Sequence, residues 1–592
     1  MSALKRRGSK EAIMAEAADL VIRGGTVVDG TGADPRVGDI AIAAGRITEV
    51  GPNLSVRGRR ETDAGGLIVT PGFIDIHTHY DGQVTWERRL QPTSGHGVTT
   101  AVMGNCGIGF APCKPEDRTR LVKLMEGVED LPEPVLTAGL PWNWTSFPEY
   151  LDSLAAQSYD IDFAGYLPHS ALRVFAMGQR GVEREAATPD DLALMSRLAV
   201  EAIGAGAMGF STSRTINHRS SDGRHVPTLT AAEEELTAIA LGLKAAGKGV
   251  LQLVSDFEDC EQELPMLRRI VEASGRPLTI AVAQWHHAPE RWRTILDWVD
   301  GVNRDGLRVT AQVPGRPIGL LLGFELTMNP FMYCPSYKAL LTLPVAERLA
   351  ALRNPELRAR IIAEAAEPTD FLAAPLVNNF DNIFAMGNPP DYEPEPEAMI
   401  AARARAMGVA PRELAYDAML ENGGRAVLIQ FVTNYSARNL DVTLEMLSRD
   451  NAVLGLGDGG AHLGYLCDAS LPTFILTHWA RDRARGGRMT LPEAVKTLTS
   501  DTAQTIGLND RGRIAAGYKA DLNLIDFDRL TLRPPHVVYD LPNGGRRVAQ
   551  KAEGYVATIV GGTEVYRDGQ PTGALPGRLV RGQRADPAMG AR

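Results

Sequence analysis

Cysteine is scarce in this chain, five residues in 592. That is too few for a disulfide framework, points to a reducing cytosol, and leaves any special thiol to be chosen for its chemistry. Long apolar runs are missing as well. No stretch approaches the ~20 residues that span a bilayer. The N-terminal "MSALKRRGSKEAIMAEAADL" has basic residues without the apolar stretch of a secretory signal. A cytoplasmic protein with no membrane partner is therefore expected. Clustered basic residues are absent too, and the net charge is −10, so nucleic acid is excluded as a partner, because phosphate binding needs grouped Lys and Arg. Repeats and low-complexity segments are lacking. The composition, 44% hydrophobic and 23% charged, is that of an ordinary soluble protein. A chain of this length exceeds what one core fills, so at least two domains are expected.

Two β-rich ends flank a middle of different rhythm. "LVIRGGTVVDG", "GDIAIAAGRITEVG" and "GGLIVTPGFIDIH" read as short strands broken by Gly and Asp turns. "GRIAAGYKADLNLIDF" and "ATIVGGTEVYRDGQPTG" repeat that texture at the C-terminal end. Between them, strand-like runs alternate with helical stretches, which indicates an α/β fold with a parallel sheet. Metal-capable residues sit at the carboxyl ends of many different runs, which favours a closed (β/α)8 TIM barrel over an open sheet. The expected domains are residues 1–70 and 506–592, forming a small β-sandwich, and 71–505, forming the barrel with a subdomain inserted at about 316–440.

His77 and His79 end the run "IVTPGFIDIHTH". Alternate residues of a strand face one way, so both imidazoles meet the geometric demand of two ligands to one metal. Cys106, in "VMGNCGIGF", follows another apolar run and lies between glycines; its thiolate would suit Zn2+. Cys113, Cys260, Cys334 and Cys467 have no such setting and read as structural. Of the adjacent His286 and His287, ending "LTIAVAQWHH", one strand end can aim a single ring inward, and His286 is favoured. Asp458, in "VLGLGDGGAH", suits a carboxylate that binds metal and takes a proton from bound water, although "DGG" is also good turn chemistry. His462 follows in the same loop, to orient substrate or cap the loop. The polar loop "RTINHRSSDGRHVP" offers His218, Arg219, Asp222 and His225, and "LPHSALR" offers His169 and Arg173, as groups that bind a substrate carbonyl or carboxylate or merely pair with neighbours. Trp142, Trp144, Phe331 and Tyr333 line an apolar pocket or pack their loops onto the barrel.

In this order, "ADLVIRGGTVVDGTG", "PGFIDIHTH", "GVTTAVMGNCG", "GAMGFSTS" and "GRIAAGYKADLNLIDFD" resemble the amidohydrolase superfamily and, within it, the D-aminoacylase (N-acyl-D-amino-acid deacylase) family. The resemblance runs over nearly the whole chain. It implies a metal-bearing (β/α)8 barrel beside a small β-sandwich, and hydrolysis of a non-peptide amide in a small molecule by metal-activated water. It assigns His77 and His79 to the first strand, Cys106 to the metal-bridging cysteine, His286 or His287 to the sixth strand, and Asp458 to ligand and general base. Two departures stand out. Gln252, in "GVLQLVSDFED", occupies the place of the family's fifth-strand histidine, with Asp256 and Glu258 as substitutes beyond the strand end. Ala288 replaces a lysine of the kind that holds a substrate carboxylate. One functional Zn2+ is therefore expected, against two in the family, and Gln252 joins the substrate-facing residues. The rival reactions on this scaffold are hydrolysis of a cyclic amide, lactone or ester; a non-catalytic relative would have no chemical need for His77, His79 and Asp458 together. The sequence leaves oligomeric state open, and a homo-oligomer is compatible with it.

Overall fold

In the computed structural model, residues 18–365, 377 and 379–589 are described. Residues 1–17, where no secretory signal is expected from sequence, lie outside them. Strand Ala18–Val27 pairs antiparallel with Arg36–Ala43 and parallel with Ile68–Pro71. Ile68–Pro71 then pairs antiparallel with Leu522–Ile525, from the other end of the chain, which in turn pairs with Tyr555–Val560. Both ends thus build one nine-stranded mixed sheet. The two facing layers expected of a sandwich are not set out by this pairing. Alternate residues Leu20, Ile22, Ile40, Ile42, Leu522 and Leu524 gather into one core cluster, as the two-residue period of a strand requires.

The middle of the chain carries eight parallel strands in sequence order: Phe73–Asp75, Val98–Met103, Asp162–Gly165, Gly209–Arg214, Val250–Ser255, Leu278–Ala281, Val309–Val313 and Ala452–Leu454. Helices separate most of them. Helix Pro189–Ala205 is typical: Thr188 and Asp191 form a capping box, Pro189 opens it, and Gly206 closes it in the left-handed conformation, each satisfying backbone groups the helix ends leave free. The hydrogen-bonded ladders fall into a three-stranded and a six-stranded sheet. The first includes 162–165, and the second begins at Leu167–Pro168, so they meet around Tyr166. No ladder joins Ala452–Leu454 to Phe73–Asp75, so strand pairing leaves the expected barrel open there. Backbone bonds beyond the strand ends cross that gap: Asp458 N–H donates to His77 O at 2.9 Å and His79 N–H to Gly459 O at 2.8 Å.

Between the last two strands, Gly319–Leu322, Leu428–Phe431 and Ile383–Ala385 form a three-stranded antiparallel sheet. With its helices it buries a separate core around Phe324, Phe331, Tyr337 and Tyr416. Residues 366–376 and 378 of this region lie outside the described residues. Among the described residues, no helix is long and apolar enough to cross a membrane.

Candidate metal centre

The strand Phe73–Asp75 continues, fully buried, into Ile76, His77, Thr78 and His79. Thr78 turns away from the histidines and donates its Oγ1–H to Val102 O at 2.8 Å. His77 and His79 share the opposite side, with ring centroids 5.5 Å apart. Gln312, from Val309–Val313, places Oε1 2.7 Å from His77 Nδ1. An amide oxygen can only accept, so His77 carries its proton on Nδ1 and presents the lone pair of Nε2.

That lone pair faces Cys106 and Asp458. His77 Nε2 lies 3.2 Å from Cys106 Sγ and 3.6 Å from Asp458 Oδ1. His79 Nε2 lies 3.5 Å from the same Asp458 oxygen. Metal-ligand atoms of His77, His79 and Cys106 all fall within 4.8 Å of one another. A tetrahedral zinc with ordinary bond lengths sets its ligand atoms about 3.3–3.6 Å apart, close to the 3.2, 3.6 and 3.5 Å of these pairs.

Backbone strain places both ligands that come from loops. Cys106 sits at φ 57° and Asp458 at φ 46°, with Leu456 and His462 in the same left-handed region at φ 60° and 50°. Non-glycine residues rarely adopt that conformation, and they gather at functional sites. The Cys106 turn is fixed by neighbours: Asn105 Nδ2 donates to Thr78 O and Val102 O, and Gln252 Oε1 accepts the Cys106 N–H at 2.9 Å. Glycine is required at 104, because a Cβ there would stand 2.7 Å from Tyr166 O.

The electrostatics call for a cation. Burial, then Glu129 and Asp458, push the Cys106 thiol well above its usual range. Burial, then Asp458 and Asp81, do the same to Glu129. The groups acting on these two are all acidic. Asp458 Oδ1, both oxygens of Glu129 and His79 Nδ1 are buried without hydrogen-bond partners. Burial pushes His77 down to about 4 and His79 to about 3, which keeps both rings neutral, as metal ligands must be. Uncompensated buried acids of this kind are expensive unless a cation joins them. These residues fit a divalent metal.

Other expected site residues lie elsewhere. His286 places Nδ1 2.8 Å from Ser436 Oγ and Nε2 3.2 Å from Phe431 O, and exposed His287 meets Glu258 at 3.2 Å. The expectation that either ligates metal is corrected: the sixth strand stops at Ala281, five residues short of His286, and "WHHA" forms a turn against the inserted sheet. The sixth-strand residue in register with Gln252 is Thr279. Asp256 accepts from Thr215 and Ile216, and Glu258 pairs with Arg291, so neither replaces the missing ligand.

His169 and Arg173 do not face a substrate space. His169 contacts Thr212 Oγ1 and Glu235 Oε1, each at 2.8 Å, and Arg173 pairs with the other oxygen of Glu235. All three are buried behind the Cys106 turn, where a Cβ on Gly107 would touch His169. In the polar loop, Asp222 pairs with Arg224, Arg219 Nη1 donates to Gly223 O, and His225 bridges Arg219 through the backbone. The loop backbone at Arg219–Ser221 rests on Gly127 of helix Arg118–Glu129. His218 is the exception: Nδ1 meets Ser213 Oγ at 2.8 Å, and burial, then the charges of His462, His79 and His77, lower it to about 3. His462 sits 6.5 Å from His79, ring to ring, with Nδ1 2.9 Å from Tyr465 Oη. Gln252 spends its oxygen on the Cys106 amide. Trp144, which donates to Phe110 O, and Phe331 are core residues.

Glu129 and Gln312 were missed. Glu129 follows Met125 by four residues on the apolar face of its helix, at the end where the dipole disfavours an acid; that conflict was the available signal. Gln312 left only a polar residue inside "VTAQV".

Known proteins resemble this chain in sequence and in fold. The sequence model of the Amidohydrolase family matches residues 60–566. The D-aminoacylase of Alcaligenes xylosoxydans is 26% identical over 564 residues, covering 95% of this chain and 97% of the relative. Two solved structures share the fold, each with a TM-score of 0.63 over 96% of this chain and all of theirs. One is a D-aminoacylase studied for its binuclear metal centre, 23% identical. The other is an N-acyl-D-glutamate deacylase from Bordetella bronchiseptica complexed with zinc and a phosphonate inhibitor, 22% identical.

Proposed function

Because the chain belongs to the amidohydrolase family, whose members it matches include deacylases, we propose that it hydrolyses the amide C–N bond of a small, non-peptide N-acyl compound with one zinc ion, in the cytoplasm. The eight parallel strands close as a barrel through the 455–460 loop. The observation that carries the reading is the buried three-donor group of His77, His79 and Cys106, with Asp458 Oδ1 beside it at 3.6 and 3.5 Å from the two histidines. Bound zinc would supply a water of lowered pKa and polarise the amide carbonyl. Asp458 turns Oδ1 toward both histidines and keeps Oδ2 for the proton. It takes that proton from the attacking water and returns it to the departing amine nitrogen. Gln312 holds the His77 ring, while Gln252 holds the Cys106 turn.

Two features support one metal. The inward positions of the fifth, sixth and seventh strands are Gln252, Thr279 and Gln312, and Gln312 Nε2 donates to Thr279 Oγ1 at 3.2 Å. None of the three is a strong ligand. The charge around the site also favours an amide without an adjacent carboxylate. Arg316, the buried arginine nearby, is paired with Asp468 at 2.8 Å, which itself feels Asp458.

The test is metal analysis together with turnover of a panel of N-acyl amides, cyclic amides and esters. One zinc per chain, with amide hydrolysis lost on chelation and in Asp458→Asn, is the expected result. Turnover of esters or lactones alone, or an Asp458→Asn enzyme as active as wild type, would overturn the proposal.

A further inference from the structure

Helix Arg118–Glu129 delivers its last residue into the metal centre. Glu129 is 1% exposed. Its Oε1 lies 3.2 Å from His79 Nδ1 and its Oε2 3.7 Å from His462 Nε2, and neither oxygen has a hydrogen-bond partner. The next residue fixes this placement. Asp130, at φ 52°, accepts hydrogen bonds from Gly464 N and Thr327 Oγ1, each at 2.9 Å. The helix end is thereby tied to the loop that carries His462.

Stability alone gives no reason for a carboxylate at this position. The helix face is apolar, with Leu121, Leu124, Met125 and Val128 all buried. A methionine or glutamine would fill the same space without an unpaired buried charge, and an acid at a helix C-terminus opposes the dipole.

We propose that Glu129 is a positioning residue of the metal centre, a carboxylate that accepts a hydrogen bond from His79 Nδ1–H when the metal is bound, with its second oxygen facing His462. The inference rests on the metal-centre reading above. A proton on His79 Nδ1 leaves Nε2 free toward Asp458, and a carboxylate partner raises the donor strength of the ring beyond what a neutral partner gives. His77 has the neutral version of the same arrangement in Gln312. The two ligand histidines are therefore held by unlike groups, and His79 is the stronger donor.

The experiment uses the full chain and two near-isosteric variants, Glu129→Gln and Glu129→Met, with zinc affinity measured by chelator competition and the thermal midpoint of the metal-free protein. Both variants are expected to bind zinc 10- to 100-fold more weakly while the metal-free midpoint stays level or rises. Zinc binding equal to wild type would overturn the inference. So would a metal-free midpoint that falls in step with the affinity, because that marks a merely structural side chain. If wild type itself holds no zinc that His77→Ala removes, the metal-centre reading fails instead, whatever the Glu129 variants do.

Discussion

The side-chain oxygen of Gln252 accepts the backbone N–H of Cys106 at 2.9 Å. It does so from the fifth parallel strand, on a residue held at φ 57°. The glutamine therefore supports the thiol through the main chain. Replacing it with leucine strands a buried donor, which costs about 1–3 kcal/mol, and frees the Cys106 turn. Gln252→Leu should lower the thermal midpoint and weaken zinc binding together. A variant with unchanged affinity would mean that the turn is set by Asn105 alone.

Cys106 is read as a ligand, and its thiolate supplies charge as well as a bond. Cys106→Ser keeps the shape of the turn but offers zinc a poor donor. Zinc content should fall at low metal concentration, with activity restored by excess zinc. His286→Ala, which removes a ring bonded to Ser436 and Phe431, should leave both zinc content and kcat near wild type. Metal loss in His286→Ala would return that histidine to the site.

The buried trio His169, Glu235 and Arg173 separates scaffold from substrate contact. Removing one partner of a buried ion pair leaves the other charge uncompensated, at a cost of about 3–5 kcal/mol. Arg173→Met should therefore lower the thermal midpoint sharply while KM for the best amide stays within about two-fold in the surviving enzyme. A large rise in KM with unchanged stability would place Arg173 against substrate.

How far the sequence carried varies by residue. The alternation that turned His77 and His79 to one side was legible, because strand geometry imposes it on any sequence. The two β-rich ends were legible for the same reason, but their merging into one sheet depends on Ile68–Pro71 meeting Leu522–Ile525, a contact across some 450 residues. His286 failed because a strand end is set by packing: four residues pair in the sixth strand and the chain then turns. Histidine next to histidine after an apolar run gave no sign of that. Glu129 lay in plain view on an apolar helix face, yet which buried acid meets which ring is decided only by the approach of the 462–464 loop.

His96 carries a pH dependence independent of the metal. It is 1% exposed, with Nε2 at 2.9 Å from Gln550 O and Nδ1 at 2.8 Å from Thr473 Oγ1. A carbonyl only accepts, so Nε2 holds the proton and Nδ1 must be free to accept from the threonine. Burial, partly opposed by the hydrogen bond to Gln550 O and reinforced by the nearby Arg316 charge, lowers the ring from its ordinary 6.5 to about 4. Between those values the unfolded chain binds a proton that the folded chain refuses. The stability His96 contributes is thus complete above about 6.5 and is lost as pH falls toward 4, by up to about 3 kcal/mol. Buried Asp75 and Asp81, raised to about 7, act in the opposite sense, so the whole-protein slope mixes both signs. The informative quantity is the difference between wild type and His96→Gln, measured with zinc bound. The urea midpoint should drop less in the variant than in wild type between pH 7 and pH 4.5. Equal drops would show that His96 takes up its proton without disturbing the contacts to Thr473 and Gln550.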